Sequence, residues 1–273
     1  MATSRSIRFP SEQTGLSRPL PCAIPHIDGV GLDMQRRGGH ACSPQGGDLF
    51  DGVSPTPGQV FFLLMNVAAQ SQNPLHLLAL AQDEFRSGAH RIAGVSGKEP
   101  LAPALQEIML RMRQRLDAAA SVFYVTALLA VYEAASSRLT YISAGAQPMQ
   151  LKKGATVTVV DGKGAPLGLP ASPAPLSNDP VQAHTLKPGE CALFLTPGLV
   201  HARSPRGDFG MTRASRVLSA QVTSDPQELC RALVAAAIHF EQQPSRFGPP
   251  LKIAGFRETE EEDMTAVALV RPA

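Results

Sequence analysis

Gly46-Gly47-Asp48-Leu49-Phe50-Asp51 is followed by Pro55-Thr56-Pro57-Gly58 and then by the apolar run Val60 to Val67. β-Branched and aromatic residues dominate the run, and prolines and a glycine punctuate the junction. The three pieces therefore read as strand, hairpin, strand. Two glycines precede two aspartates that stand three residues apart. A glycine ahead of an acid lets backbone and carboxylate come close to a bound ion or phosphate. A carboxylate at a strand end is a common ligand for a hard metal. The same residues also fit an ordinary hairpin with solvated aspartates, and the choice between the two rests on the rest of the chain.

The chain has 273 residues, 44% of them hydrophobic and 18% charged, enough for one large or two small domains with a sizeable core. A net charge of +2 points to no particular polyanionic partner. No basic run is interleaved with aromatics, so no nucleic-acid partner is expected. The longest apolar runs are far too short to span a bilayer, so no membrane partner is expected either. Cys22, Cys42, Cys191 and Cys230 are scattered and form no CxxC pair. That usage suits reduced thiols and a cytoplasmic setting better than a disulfide frame or a zinc site.

Residues 1–24 are rich in Ser, Arg and Pro, with Glu12 the one acid, and lack the apolar core of a secretory signal. They read as a disordered tail, and residues 25–273 as one domain. Val30 to Gln35 alternates and reads as a first strand; His40, in the loop after it, reads as solvated or structural. Leu77, Leu78, Leu80, Ala81 and Phe85 recur at helical spacing and end near Gly88. After a loop from Gly94 to Pro100, a stripe from Leu101 through Met112 to Leu116 marks a second helix. Its methionines read as core. Val122 to Tyr132 and Leu139 to Ser143 form a second hairpin, and Met149 to Leu151 with Thr156 to Val160 a third. Val181 to Leu186 alternates, and Cys191 to Thr196 reads as a buried strand. It ends in Thr196-Pro197-Gly198, with a variable loop running on to Gly210. Asp225-Pro226-Gln227-Glu228 starts a helix with an N-cap, a proline at its first position and a capping-box glutamate. Arg257 to Asp263 is a polar, acidic run that reads as a solvated connection, and Met264 to Val270 as a final strand. Many antiparallel strands with helices in pairs make a layered α+β sandwich.

Taken in this order, the segments resemble the PPM (protein phosphatase 2C-like) family of metal-dependent serine/threonine phosphatases. Within it the chain looks most like the bacterial branch of the stage II sporulation phosphatase and the sigma-factor-regulating phosphatases. The resemblance spans roughly Asp28 to Arg271. It rests on GGDLFD (Gly46–Asp51), the strand Val60–Val67, TALLAVYEAASSRLTYISAGAQP (Thr126–Pro148) and APLGLP (Ala165–Pro170). It continues in LKPGECALFLTPGLVHARSPRGDFG (Leu186–Gly210) and EEDMTAVALVR (Glu261–Arg271). The resemblance implies a four-layer α/β/β/α sandwich of two antiparallel sheets flanked by helix pairs. The pairs would be about Pro74–Ser87 with Pro103–Ala118, and about Met211–Ser219 with Pro226–Gln242.

Members of that family use two divalent ions, manganese or magnesium, to activate a water that attacks a phosphoserine or phosphothreonine. About four carboxylates hold the ions, because two dications roughly 3.5–4 Å apart need bridging anions. By the resemblance, Asp48 matches the first acid, and Asp263 the second acid of the family's DD pair. Glu262 takes the place of the first acid of that pair, one carbon longer. Asn66 stands where the bridging acid belongs, and Pro197 where the family reads TDG. Asp48, Glu262 and Asp263 are thus retained or nearly retained metal positions, while Asn66 and Pro197 are degenerate ones. No residue is assigned a certain catalytic role and no cofactor is expected, with manganese or magnesium the choice for an active site. Two functions follow. One is a pseudophosphatase that binds a phosphorylated or regulatory protein partner in bacterial signalling, such as an anti-sigma-factor-antagonist-like domain. The other is an active phosphatase of the sigma-factor-regulating type, with Asp51, Glu260, Glu261 and Asp263 as acids able to move in. The resemblance implies that Asp48, Asn66, Pro197, Glu262 and Asp263 converge at one end of the sandwich.

Overall fold

The computed structural model describes residues 22, 24–37, 47–68, 71, 73–120, 123–168, 180–243 and 263–273. Of the expected tail, only Cys22 and Ile24 are among them; His40, Cys42, Glu260, Glu261 and Glu262 lie outside. The first strands are β1 (Gly31–Arg36), β2 (Asp48–Thr56) and β3 (Gln59–Val67), followed by α1 (Pro74–Arg91) and α2 (Lys98–Ala119). Then come β4 (Val125–Glu133), β5 (Arg138–Ala144), β6 (Met149–Lys153), β7 (Thr156–Val160), β8 (Gln182–Thr185) and β9 (Glu190–Leu195). A one-turn helix α3 (Pro197–Val200) leads to the hairpin β10 (Arg203–Ser204) and β11 (Gly207–Asp208). Helices α4 (Gly210–Ala220) and α5 (Pro226–Glu241) precede the last strand, β12 (Thr265–Val270).

Two five-stranded antiparallel sheets result, in the orders β1-β12-β9-β6-β7 and β2-β3-β4-β5-β8. They stack face to face. Helices α1 and α2 cover the outer face of the second sheet, and α4 and α5 that of the first. The expected four-layer α/β/β/α sandwich is the observed fold.

The period of two along a strand explains why β3 is apolar throughout. Val60, Phe62 and Leu64 face the other sheet, while Phe61, Leu63 and Met65 face α1 and α2. Phe62 joins the sheets, its ring centroid 6.2 Å from Phe50 and 5.5 Å from Phe194. Aromatic pairs in this range contribute about 1 kcal/mol beyond the area they bury.

Several element ends differ from the sequence expectation. Helix α1 runs past Gly88 to Arg91, because Gly88 is a helix–helix contact and not a stop signal: a Cβ there would lie 2.6 Å from Ile108 Cγ1. Helix α2 starts at Lys98, five residues before Pro103. Its first turn tolerates Pro100, since those N–H groups have no helical acceptor. The stretch after Thr196, expected as a loop, contains α3 and the β10–β11 hairpin. Helix α5 has the expected cap, with Asp225 Oδ1 accepting from the Glu228 N–H at 2.8 Å. Cys22 is disulfide-bonded, which corrects the expectation of four reduced thiols, while Cys191 and Cys230 are free and buried. Sequence spacing does not reveal such a pairing, because the path of the chain decides which cysteines meet. Among the described residues no helix is long and apolar enough to cross a membrane.

Candidate carboxylate cluster

Asp48 and Asp51 stand three residues apart on β2, so their side chains leave opposite faces of the strand. Asp51 shares the face of Leu49 and points toward α1, where it accepts from Arg86 Nε at 2.6 Å, Arg86 Nη2 at 3.0 Å and Gln82 Nε2 at 3.1 Å. It is fully buried and committed to that helix. Asp48 shares the face of Phe50 and enters the layer between the sheets. Register sets its neighbour: Asp48 lies directly opposite Asn66 on β3.

The Asp48 carboxylate accepts from three side chains. Asn66 Nδ2 donates to Oδ1 at 2.7 Å, while Thr196 Oγ1 and Thr265 Oγ1 donate to Oδ2 at 2.6 Å and 2.8 Å. Thr196 follows the end of β9 and Thr265 begins β12, so these contacts tie the two sheets together. Thr196 Oγ1 also accepts from the Thr265 N–H at 2.9 Å. The Asp48 N–H donates to Asp263 Oδ2 at 3.2 Å, and Asp263 Oδ1 accepts from the buried guanidinium of Arg36. Burial pushes the Asp48 carboxyl up to about 7; the bonds from Thr196, Asn66 and Thr265 oppose that rise, and the charge of Asp263 adds to it.

Gly47 brings β2 and β3 close together. Its carbonyl accepts from the Val67 N–H at 2.7 Å, and a Cβ at this position would lie 2.4 Å from the Val67 carbonyl oxygen. Close approach of two backbones accounts for this glycine.

Asp48, Asn66 and Asp263, drawn from positions far apart in the chain, therefore meet at one end of the inter-sheet layer. Pro197 is next to Thr196 in the chain, at the first position of α3, where its fixed φ and missing N–H suit a helix start. Its ring offers no donor or acceptor. Glu262 lies outside the described residues. Arg36, Thr196 and Thr265 were not singled out from the sequence. Both threonines sit in the quoted segments around TPG and DMT, Thr196 one residue before Pro197 and Thr265 two after Asp263, and those hydroxyls are the available signal. Nothing local in Met34-Gln35-Arg36 announces the role of Arg36. Among the described residues, no three His, Cys, Asp or Glu side chains form a group able to hold a metal ion.

Several solved structures share this fold. One is the crystal structure of the RsbU and RsbW domains of a Mycobacterium tuberculosis protein. It is 19% identical with a TM-score of 0.64, over 94% of this chain and 63% of that one. A second is the PP2C phosphatase domain, with a fragment of the regulatory domain, of the cell fate determinant SpoIIE from Bacillus subtilis. It is 16% identical with a TM-score of 0.63, over 89% and 64%. A third, RsbX in complex with magnesium, is 12% identical with a TM-score of 0.56, over 92% and 99%. The chain thus spans just under two thirds of the first two structures. No curated protein matches it in sequence. The family model of stage II sporulation protein E (SpoIIE) matches residues 77–246, from α1 to just beyond α5. The match covers well over half of the sequence and includes Thr196 and Pro197, and with two stacked antiparallel sheets between helix pairs it leads to one assignment: the chain belongs to the stage II sporulation protein E family of PP2C-fold proteins.

Proposed function

We propose that this chain is a pseudophosphatase, a phosphatase-fold regulatory protein of bacterial signalling that acts by holding a protein partner. The observation that carries the reading is the state of Asp48. Both of its carboxylate oxygens already accept from Asn66, Thr196 and Thr265. Asp263 is engaged in the same way, by Arg36 and the Asp48 N–H. The donors present do not fit a pair of divalent ions. Asn66 presents its amide N–H to Asp48, and an amide has no charge with which to bridge two dications. Pro197 has no ligand atom. Positive charge comes from the Arg36 guanidinium instead, so the cluster is a lock between the sheets. It joins β2 and β3 to β12, to the residue after β9 and to the buried Arg36–Asp263 ion pair, at the end where a metal centre would lie.

With that end locked, the fold serves recognition. The partner class is a phosphorylated or regulatory domain of the anti-sigma-factor-antagonist type. The Mycobacterium structure, which carries an RsbW domain beside its RsbU domain, favours a protein partner. The test is manganese-dependent hydrolysis of an aryl phosphate by the full chain, run beside Asp48→Ala. Neither protein is expected to exceed the uncatalysed rate. Manganese-dependent turnover by the parent that disappears in Asp48→Ala overturns the reading and establishes an active phosphatase.

A further inference from the structure

Helices α4 and α5 and the β10–β11 hairpin enclose a groove of about 350 Å³ on the outer side of the first sheet. Its floor is apolar: Phe209, Phe240 and Val217 line it, with the two rings in edge contact at 5.7 Å. Its rim is cationic, made by Arg206, Arg213 and Arg216. Two of these guanidiniums are held in place, and neither pairs with a carboxylate among the described residues. Arg213 lies 4.6 Å above the Phe240 ring, and its Nη1 donates to the carbonyls of Asp208 and Phe209 at 2.7 Å and 3.0 Å. Arg206 Nη1 donates to Gln243 Oε1 at 2.7 Å. Arg216 is exposed, three residues from Arg213 and therefore on the same side of α4. Asp208 of the same hairpin pairs through its carboxylate with Arg203 and His201, and among the described residues not with the rim. From Arg203 to Ala220 the chain has four arginines against that single aspartate, in a protein whose net charge is only +2.

We infer that this groove docks an acidic segment of a partner protein, one in which carboxylates flank a single large apolar side chain. Guanidiniums already fixed by carbonyl and ring contacts lose little further freedom on meeting carboxylates, which they match as planar forks. The phenylalanine floor desolvates one apolar side chain between them, the arrangement in which interface anchors contribute most. A lipid surface fits less well, because a membrane takes up protruding apolar side chains, whereas Phe209 and Phe240 are recessed and buried. The groove lies on the α4–α5 layer, and none of its residues belongs to the Asp48 cluster. The inference therefore stands apart from whether that cluster retains chemistry.

The probe is a fluorescein-labelled peptide with one phenylalanine between two pairs of glutamates, titrated with the full chain at low ionic strength and followed by anisotropy. Saturable binding is expected, weakening as salt rises. Arg206→Glu and Arg216→Glu, both on exposed side chains, are each expected to weaken it about tenfold or more, with thermal unfolding unchanged. Glutamine in place of the glutamates, or alanine in place of the phenylalanine, is expected to weaken it similarly. Absence of binding, or binding that ignores either arginine reversal or either peptide change, overturns the inference. So does arginine-dependent capture of anionic phosphatidylserine vesicles in preference to the peptide, which assigns the groove to a lipid surface.

Discussion

Asn66→Asp places a second carboxylate against Asp48 in the register pair that joins β2 to β3. In the parent, the Asn66 amide donates to Asp48 at 2.7 Å. The substitution removes that charge-assisted bond, worth about 2 kcal/mol. Two like charges about 4 Å apart at an effective dielectric of 20 repel by a further ~4 kcal/mol. A loss of about 4–6 kcal/mol is comparable with the whole stability of a typical domain. Protonation relieves it. Because the Asp48 carboxyl already sits at about 7, the pair shares a proton in mild acid. Urea denaturation followed by circular dichroism at about pH 5 and about pH 8 is the assay: the mutant is expected to lose roughly 2 kcal/mol or less in acid and the full amount in mild base. A mutant as stable as the parent near pH 8 refutes the contact between the two side chains. In Asn66→Asp/Pro197→Asp, millimolar manganese is expected to restore part of the loss by mass action, which it cannot do for the parent.

Asp48 also sets a pH dependence for the unaltered protein. Its folded pKa of about 7 lies above the ordinary 3.8, so its stabilising contribution is complete below about 3.8 and is lost as pH rises through about 7, a fall of about 4 kcal/mol. Asp48→Asn is expected to flatten that part of a stability–pH curve, and an unchanged slope contradicts the burial argument. Gly47→Ala forces a Cβ to within 2.4 Å of the Val67 carbonyl and is expected to cost about 2 kcal/mol in chemical denaturation; an indistinguishable midpoint counts against the close strand approach. Arg86→Ala removes the guanidinium that pairs with the buried Asp51 carboxylate and is expected to cost roughly 3 kcal/mol, so a loss near zero shows the pair to be solvated.

Much of this fold is legible in the sequence, because both faces of its central strands are buried. The run Val60–Val67 has no polar face to give away, yet its length and flanking turns mark it as a strand. The amphipathic stripes of α1, α2 and α5 are equally plain. Element ends are less so, since Gly88 reads as a helix stop only until its contact with Ile108 is seen. In the cluster, the acids stand out as residue types and Asn66 as an anomaly, but their partners do not. Thr196, Thr265 and Arg36 acquire their roles from three strands that neighbour one another only in the folded sheets. The two aspartates of GGDLFD look equivalent in one dimension. Strand alternation separates them, sending Asp48 between the sheets and Asp51 to α1.

Calorimetric titration of the chain with manganese addresses the Asp48 lock most directly. With Asp48 held by Asn66, Thr196 and Thr265, and Asp263 by Arg36, no saturable binding heat is expected up to millimolar metal. Two ions bound with micromolar affinity would contradict the lock and identify a working dinuclear centre.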